Sequence, residues 1–473
     1  MNLRKEIVIN FAAKYSNVVI QLILNAILAR LLSPKEYGII AIISVFLVFF
    51  NMLGDMGIAP AIIQYKELSK KDISNIFKFT VAIAVALALL FACFSVLVSK
   101  TYDNELYKSI GPLLSISVLF SVLSIVPNGI LLRKKKFKII GITTLVANFL
   151  SGIAAVILAC ANFGVYALIW NSILLAILNF IILFYYSKIK IYRGFTITSI
   201  ETIRSYSFYQ FLFNFINYFT RNLDNLLIGR FLGQTPLGYY DKSYKLMLYP
   251  VQNLTFVISP ILQPILSDYQ NNREKIYEYY IKIVKVLSLL GVFITAVAFF
   301  TAEDLINILF GSQWNKSIIS FKVLSLSIGL QIVLSSIGAI FQATNNTKYL
   351  FQSGIFSFIS FTTLGLLGIL IGKTIEWVSF SLSIGFLINF IQSYYMLIKK
   401  VFRKNFFSFL KHFIKPIIIQ VFLFLFFYLF KVHSGNYFID LIIKFLCALI
   451  VYMFLLFLTG EIKYARYVLK RNI

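Results

Sequence analysis

Apolar residues recur along this chain in runs of about twenty, separated by short polar breaks rich in Lys, Arg, Gly and Pro. A helix rising about 1.5 Å per residue needs a run of that length to cross the roughly 30 Å hydrocarbon core of a bilayer. Roughly 20 to 28 residues per span predicts helices near 7–32, 37–64, 76–99, 110–132, 139–161, 165–187 and 206–232. A second series is predicted near 237–266, 277–300, 315–343, 348–372, 375–398, 410–431 and 437–459. The reading is an all-α polytopic membrane protein of about fourteen transmembrane helices. The pairs divided only by "LSPKEYG" and "LGQTPLG" are the least regular, since each member carries Gly, Pro or charge within its span.

Composition agrees: 473 residues that are 59% apolar, with a mean hydropathy of +0.85, exclude a water-soluble domain. Charge adds an orientation. The balance of 44 Lys+Arg less 18 Asp+Glu is +26, which on a soluble protein would point to nucleic acid. Here the cations sit in short loops between apolar runs, so no nucleic-acid partner is implied and the loops face anionic membrane lipids. With the N-terminus cytosolic, about 30 basic residues fall on the cytosolic side and about six outside, which places both termini in the cytosol and requires an even helix count. Cys93, Cys160 and Cys447 lie within apolar runs and read as packing residues. The opening "MNLRKEIVINFAAKYSN" lacks a compact apolar core followed by a cleavage site, so the first helix is expected to stay in the mature protein.

A shift of 200 positions sets "LARLLSPKEYGI" (28–39) on "IGRFLGQTPLGY" (228–239), pairing Arg30 with Arg230, Leu32 with Leu232 and Gly38 with Gly238. Without a gap it also pairs Asn17 with Asn217, Asn25 with Asn225, Ile58 with Ile258 and Pro60 with Pro260. The two copies are six helices apart and would enter the membrane from the same side. Parallel repeats of this kind build two lobes around a central cavity. The expected organisation is therefore a six-helix lobe over 1–205, a second over 206–400, and a further helix pair with a basic tail over 401–473.

Charges within the spans are the candidate chemistry. Arg221 lies roughly 22 Å into the seventh helix, with Asp224 one turn on along the same face. An ionised side chain at that depth costs about 2.5 to 3.5 kcal/mol against lipid, so both must face protein or water. They either neutralise each other as a staple between helices, or Arg221 faces the cavity as a phosphate-binding fork oriented by Asp224. Arg30 and Arg230 are close enough to the outer helix ends to snorkel, and their equivalence would also suit an outer gate. Lys14 is the mid-helix cation of helix one and admits either role. Asp55, in "NMLGDMGIAPA" between Gly54, Gly57 and Pro60, faces the cavity or a buried hydrogen bond. Asp241 and Lys245 are spaced to pair at i,i+4, leaving Lys242 to face the opening. Lys322 and Lys444 carry no discriminating signal. The "RKKKFK" loop reads first as a topogenic loop and second as a contact for phosphorylated lipid.

Enzymatic patterns are nearly absent: His412 and His433 are the two histidines, and no metal-ligand spacing, nucleophile elbow or phosphate-cradling loop occurs. No cofactor is expected.

The stretches "LARLLSPKEYGIIAI", "GDMGIAPAIIQYKELSKKDISNIF", "RNLDNLLIGRFLGQTPLGYYDKSYKLMLYP" and "LFGSQWNKS", with Gly311 and Trp314, closely resemble bacterial polysaccharide flippases. That branch exports lipopolysaccharide, exopolysaccharide and teichuronic-acid precursors within the multidrug/oligosaccharidyl-lipid/polysaccharide exporter superfamily. The resemblance covers nearly the whole chain and is strongest over 29–77 and 221–268. It implies two six-helix lobes rocking about a cationic cavity in the bacterial cytoplasmic membrane. The implied cargo is an undecaprenyl-pyrophosphate-linked oligosaccharide moved from the inner to the outer leaflet. Arg221 and Arg230 are the positions it matches; partners are other polysaccharide-assembly proteins, and the protein is expected to act as a monomer. Directional transport needs a bias, from differential affinity or from a cation or proton gradient, with Asp224 and Asp55 the carboxylates to carry it. A cation-coupled drug antiporter of the same superfamily should place carboxylates within helix one, which instead offers Lys14 and Arg30 after its opening Glu6. A membrane polymerase or ligase would need clustered His, Asp or Arg on a sizeable outer loop.

Overall fold

The computed structural model describes residues 3–65, 67–196, 215, 218, 222–267, 272–344 and 346–463, with the side chains of 3–14, 256–267 and 347 outside the description. Among these every regular element is a helix. Ten helices are long and apolar enough to cross a membrane, and a bent pair over Ser317–Ser325 and Ile328–Ala343 makes an eleventh. All eleven coincide with predicted spans. Internal packing divides the chain into two compact units, Met1–Gly238 and Tyr239–Ile473.

The first unit contains α1 (Leu3–Leu31), α2 (Pro34–Asp55), α3 (Ile58–Gln64), α4 (Lys70–Thr101), α5 (Leu106–Leu123), α6 (Ile125–Arg133), α7 (Phe137–Cys160) and α8 (Val165–Ser187). Residues 222–231 form α9, and the first turn of α10 (Gln234–Ser267) closes the unit. Local chemistry fixes the helix starts. Before α2, the Ser33 side chain accepts from the Glu36 amide while Glu36 Oε2 accepts from the Ser33 amide at 2.6 Å, a reciprocal capping box followed by Pro at N1. Ser69 and Asp72 repeat the device before α4.

The span over 34–64 is broken, not continuous. Met56 (φ 38°) and Gly57 (φ 76°) adopt left-handed conformations, which end α2 and let α3 start on a new course. From there the two pieces have different neighbours. Gly54 of α2 abuts Val122 of α5, whereas Ile58, Ala61 and Ile62 of α3 share a core with Ile76, Phe77, Val126 and Ile130 of α4 and α6.

Because lipid tails are as apolar as the side chains, close backbone approach and polar contacts hold such helices together. Gln21 of α1 donates to Asn148 of α7 at 3.2 Å. At the tips of α2 and α10, a Cβ added to Gly38 would fall on the Gln234 carbonyl, and one added to Gly238 would fall on the Pro34 carbonyl. The two copies of the repeated motif thus touch each other reciprocally, position 34 against 238 and 38 against 234.

The second unit continues with α11 (Arg273–Phe300), α12 (Ala302–Leu309), α13 (Ser317–Ser325), α14 (Ile328–Leu334), α15 (Ile337–Ala343), α16 (Thr347–Leu367), α17 (Ile375–Tyr395), α18 (Phe406–Leu410), α19 (Ile414–Leu429) and α20 (Tyr437–Leu458). The last two pack on α11 through Leu289, Val292, Ile419, Leu423 and Tyr452. A buried polar knot, Tyr280 bonded to Tyr394 at 2.9 Å and to Ser336 at 3.1 Å, joins α11, α17 and the α14–α15 corner.

Candidate functional site

In the first unit α9 lies against α2, Gly229 leaving space filled by Ile42; ahead of α9, the Tyr218 hydroxyl donates to the Val45 carbonyl. Arg221, the guanidinium on which the sequence reading leans most, lies outside the described residues, as does the side chain of Lys14. Asp224 is partly exposed on α9, its Oδ1 accepting the Asn225 amide at 2.9 Å. One residue on, the Asn225 side-chain oxygen is buried without a hydrogen-bond partner among the described residues, as is that of Asn17 on α1. An acceptor left so costs about 1–3 kcal/mol unless water or a ligand satisfies it. Both asparagines entered the sequence reading as repeat identities; their unmet hydrogen bonds depend on neighbours that a pattern does not reveal.

Arg230, in the last turn of α9, pairs with Asp103 of the α4–α5 loop at 3.3 Å, both side chains at least half exposed. Such a pair contributes little stability. Nearby, the Tyr102 hydroxyl donates to the Leu226 carbonyl at 3.2 Å. Arg30 is exposed in the last turn of α1, where a cation complements the helix dipole.

Asp55 sits at the break in the second span, and its Oδ1 accepts the Ala59 amide at 3.4 Å, covering one orphan donor of α3. That geometry separates two roles by substitution. If Asp55 acts as a cap, Asp55→Asn should keep the melting temperature of the parent, whereas Asp55→Ala should lose about 1 kcal/mol of stability in thermal unfolding. An equal loss with Asn would show that the carboxylate charge, and not the cap, is what the site needs.

Lys242 belongs to the second unit, and here the expectation of an opening is corrected. It is 5% exposed, with Nζ 5.0 Å from the centre of the Phe310 ring and 5.5 Å from that of Trp314. Aromatic faces attract a cation by their quadrupole, so the "LFGSQW" turn, reversed at Gly311 (φ 94°), closes over Lys242 instead of leaving it to solvent. The predicted Asp241–Lys245 pair is present at 2.7 Å. Lys444 also acquires a partner, the buried Asp304 at 2.6 Å, while Lys322 is partly exposed on α13.

One ionic cluster escaped sequence reasoning. Lys285, within α11, lies 3.3 Å from Glu461 and donates to the His412 carbonyl at 3.0 Å; Lys415 lies 3.2 Å from the same carboxylate. Glu461 follows α20 and reads as tail until the fold brings it to α11. A groove of about 570 Å³ beside Phe299, Phe300, Leu326, Phe424 and Tyr428 is apolar, and no charged residue among those described lines it. No cluster of three or more potential metal ligands occurs among the described residues.

A family model described as "Polysaccharide biosynthesis protein" matches residues 27–319. The chain is 24% identical over 436 residues to the lipopolysaccharide biosynthesis protein WzxC of Escherichia coli (strain K12), covering 87% of this chain and 84% of that protein. It is 21% identical over 342 residues to the teichuronic acid biosynthesis protein TuaB of Bacillus subtilis (strain 168), covering 71% of each. Among solved structures it is similar to the lipid II flippase MurJ in an inward closed conformation, with a TM-score of 0.78 and 18% identity over 98% of this chain and 100% of that one. At that identity the likeness concerns the fold.

Proposed function

Because the chain belongs to the polysaccharide biosynthesis protein family, flippases of the multidrug/oligosaccharidyl-lipid/polysaccharide superfamily, we propose that it moves an undecaprenyl-pyrophosphate-linked oligosaccharide from the inner to the outer leaflet by alternating access. The family is one of multi-pass membrane transporters and not of enzymes. Fourteen spans, two six-helix lobes over 1–205 and 206–400, a helix pair over 401–473, and cytosolic termini complete the proposal. The basic loops then face the cytosol.

The observation that supports it most directly is polar chemistry within α9: a partly exposed Asp224 beside a buried Asn225 oxygen in want of a donor. A pyrophosphate with several sugars cannot cross hydrocarbon unaided, since each unpaired polar group costs several kcal/mol and an isolated anion far more. In this reading Arg221 supplies the bidentate phosphate contact, Asp224 orients it, and Arg30 and Arg230 serve the outer mouth. The polyprenyl tail stays in lipid while the head is exposed to each side in turn.

Cells lacking the protein should accumulate lipid-linked oligosaccharide facing the cytosol in a leaflet-resolved assay. Arg221→Gln should reproduce that accumulation with the protein present at normal abundance. An even distribution between leaflets in the deletion would end the flippase reading, and normal export by Arg221→Gln would remove Arg221 from the site.

A further inference from the structure

At one end of the first unit three separate loops bring cations together. Lys134, the C-cap of α6, donates to the Ser187 carbonyl at the end of α8 at 3.2 Å. Partial desolvation, then the charges of Lys136, Lys188, Lys70 and Arg133 in that order, hold the Lys134 ammonium below the ordinary lysine range. Lys70 comes from the start of α4, Arg133, Lys134 and Lys136 from the α6–α7 turn, and Lys188 from the end of α8. Lys70, Lys134 and Lys188 are exposed. Among the described residues, the carboxylates close by in sequence are Asp72, which accepts in the Ser69 capping box, and the exposed Glu67.

The segment that follows α8 is not helical, yet it is fastened. The Tyr192 amide donates to Ser74 Oγ at 2.9 Å and Asn75 donates to Thr196 Oγ1 at 2.7 Å. Lys78 donates to the carbonyls of Tyr192 and, at 2.6 Å, Gly194. So strapped to α4, the segment presents Ile191 (62% exposed) and Phe195 (51%) outward, next to Tyr185 (75%) at the end of α8. Tyrosines beside a basic cluster at a helix end are the chemistry of the headgroup boundary.

Topogenesis alone does not account for this. Loop charge sets orientation by count wherever the residues lie, and helix C-terminal dipoles account for Lys134 and Lys188. Neither requires Lys70 and Lys136, from two different loops, to stand close enough to Lys134 to act on its charge, a gathering of cations that suits a bound anion.

We propose that this end of the unit is a docking site for anionic phospholipid headgroups of the inner leaflet, with Lys70, Lys134, Lys136 and Lys188 gathering the phosphates and the strap seating the aromatic residues among the lipid glycerols. The leaflet assignment rests on the orientation proposed above; the headgroup chemistry does not.

The test uses the full chain in detergent, titrated with dioleoyl phosphatidylglycerol or dioleoyl phosphatidylcholine while thermal unfolding is followed. The anionic lipid alone should raise the midpoint, and 0.5 M NaCl should weaken the effect. At roughly fivefold per cation, the combined Lys134→Gln, Lys136→Gln and Lys188→Gln variant should need at least tenfold more phosphatidylglycerol for the same rise. The corresponding Lys→Arg variant should match the parent. Should the Gln variant fail to fold, lipid selectivity and salt dependence of the parent decide alone. Equal responses to both lipids, or an unchanged response in the Gln variant, would overturn the site. So would full displacement of phosphatidylglycerol by millimolar inorganic pyrophosphate, which would assign the cluster to a soluble or cargo phosphate. Membrane sidedness is read separately, from labelling of a cysteine placed at 190, so an inverted orientation would not be mistaken for absent lipid binding.

Discussion

Glu461→Gln is expected to lower the stability of the second unit by about 3 to 5 kcal/mol, the usual cost of leaving one buried charge without its partner. Lys285 is 6% exposed and Glu461 2% exposed, so water cannot replace the lost carboxylate. Lys415, half exposed, can turn to solvent, which confines the damage to Lys285. The carbonyl of His412 remains as an acceptor but supplies a dipole where a full charge stood. The contrast is a double variant, Lys285→Met with Glu461→Leu, expected within about 2 kcal/mol of the parent because no charge is then stranded. Thermal unfolding in detergent measures both. If the single change is as mild as the double, the carboxylate is not what neutralises Lys285.

Gly38→Leu should cost at least about 3 kcal/mol, the upper end of overpacking penalties, because the obstacle is backbone and not a side chain with other rotamers. The carbonyl of Gln234 occupies the place of the new Cβ. Gly238→Leu should cost a similar amount by the reciprocal clash with Pro34, and the two together should cost less than their sum, since one separation of the tips relieves both. Folded yield and melting temperature of the four variants, parent included, test this. Strict additivity would mean that the two glycines do not share one contact.

Much of the helical plan was legible because an apolar run of membrane length has few other uses. Its ends were less so. The third predicted helix begins at 76, where the mainly apolar run starts, but α4 begins at Lys70 because Ser69 and Asp72 cap "KKDISN" as helix ahead of that run. The tenth predicted span is bent by 46° between Ser325 and Ile328, a serine-rich corner that hydropathy averages away. The pair Asp241–Lys245 was readable, being four residues apart on one helix. Lys242 and Lys285 were not, since an aromatic turn covers one and a residue beyond the last helix neutralises the other. The 200-residue echo found Gly38 and Gly238 as equivalents, but not that they meet, for a repeat specifies likeness and leaves contact to packing.

The left-handed pair Met56 and Gly57 also has a mechanical meaning. A continuous helix would carry torque from one face of the bilayer to the other. Here the shaft is cut, and the short piece beyond the cut is keyed to α4 and α6. Any rotation of α2 would therefore be taken up in the four dihedrals of Met56 and Gly57 before it reached α3.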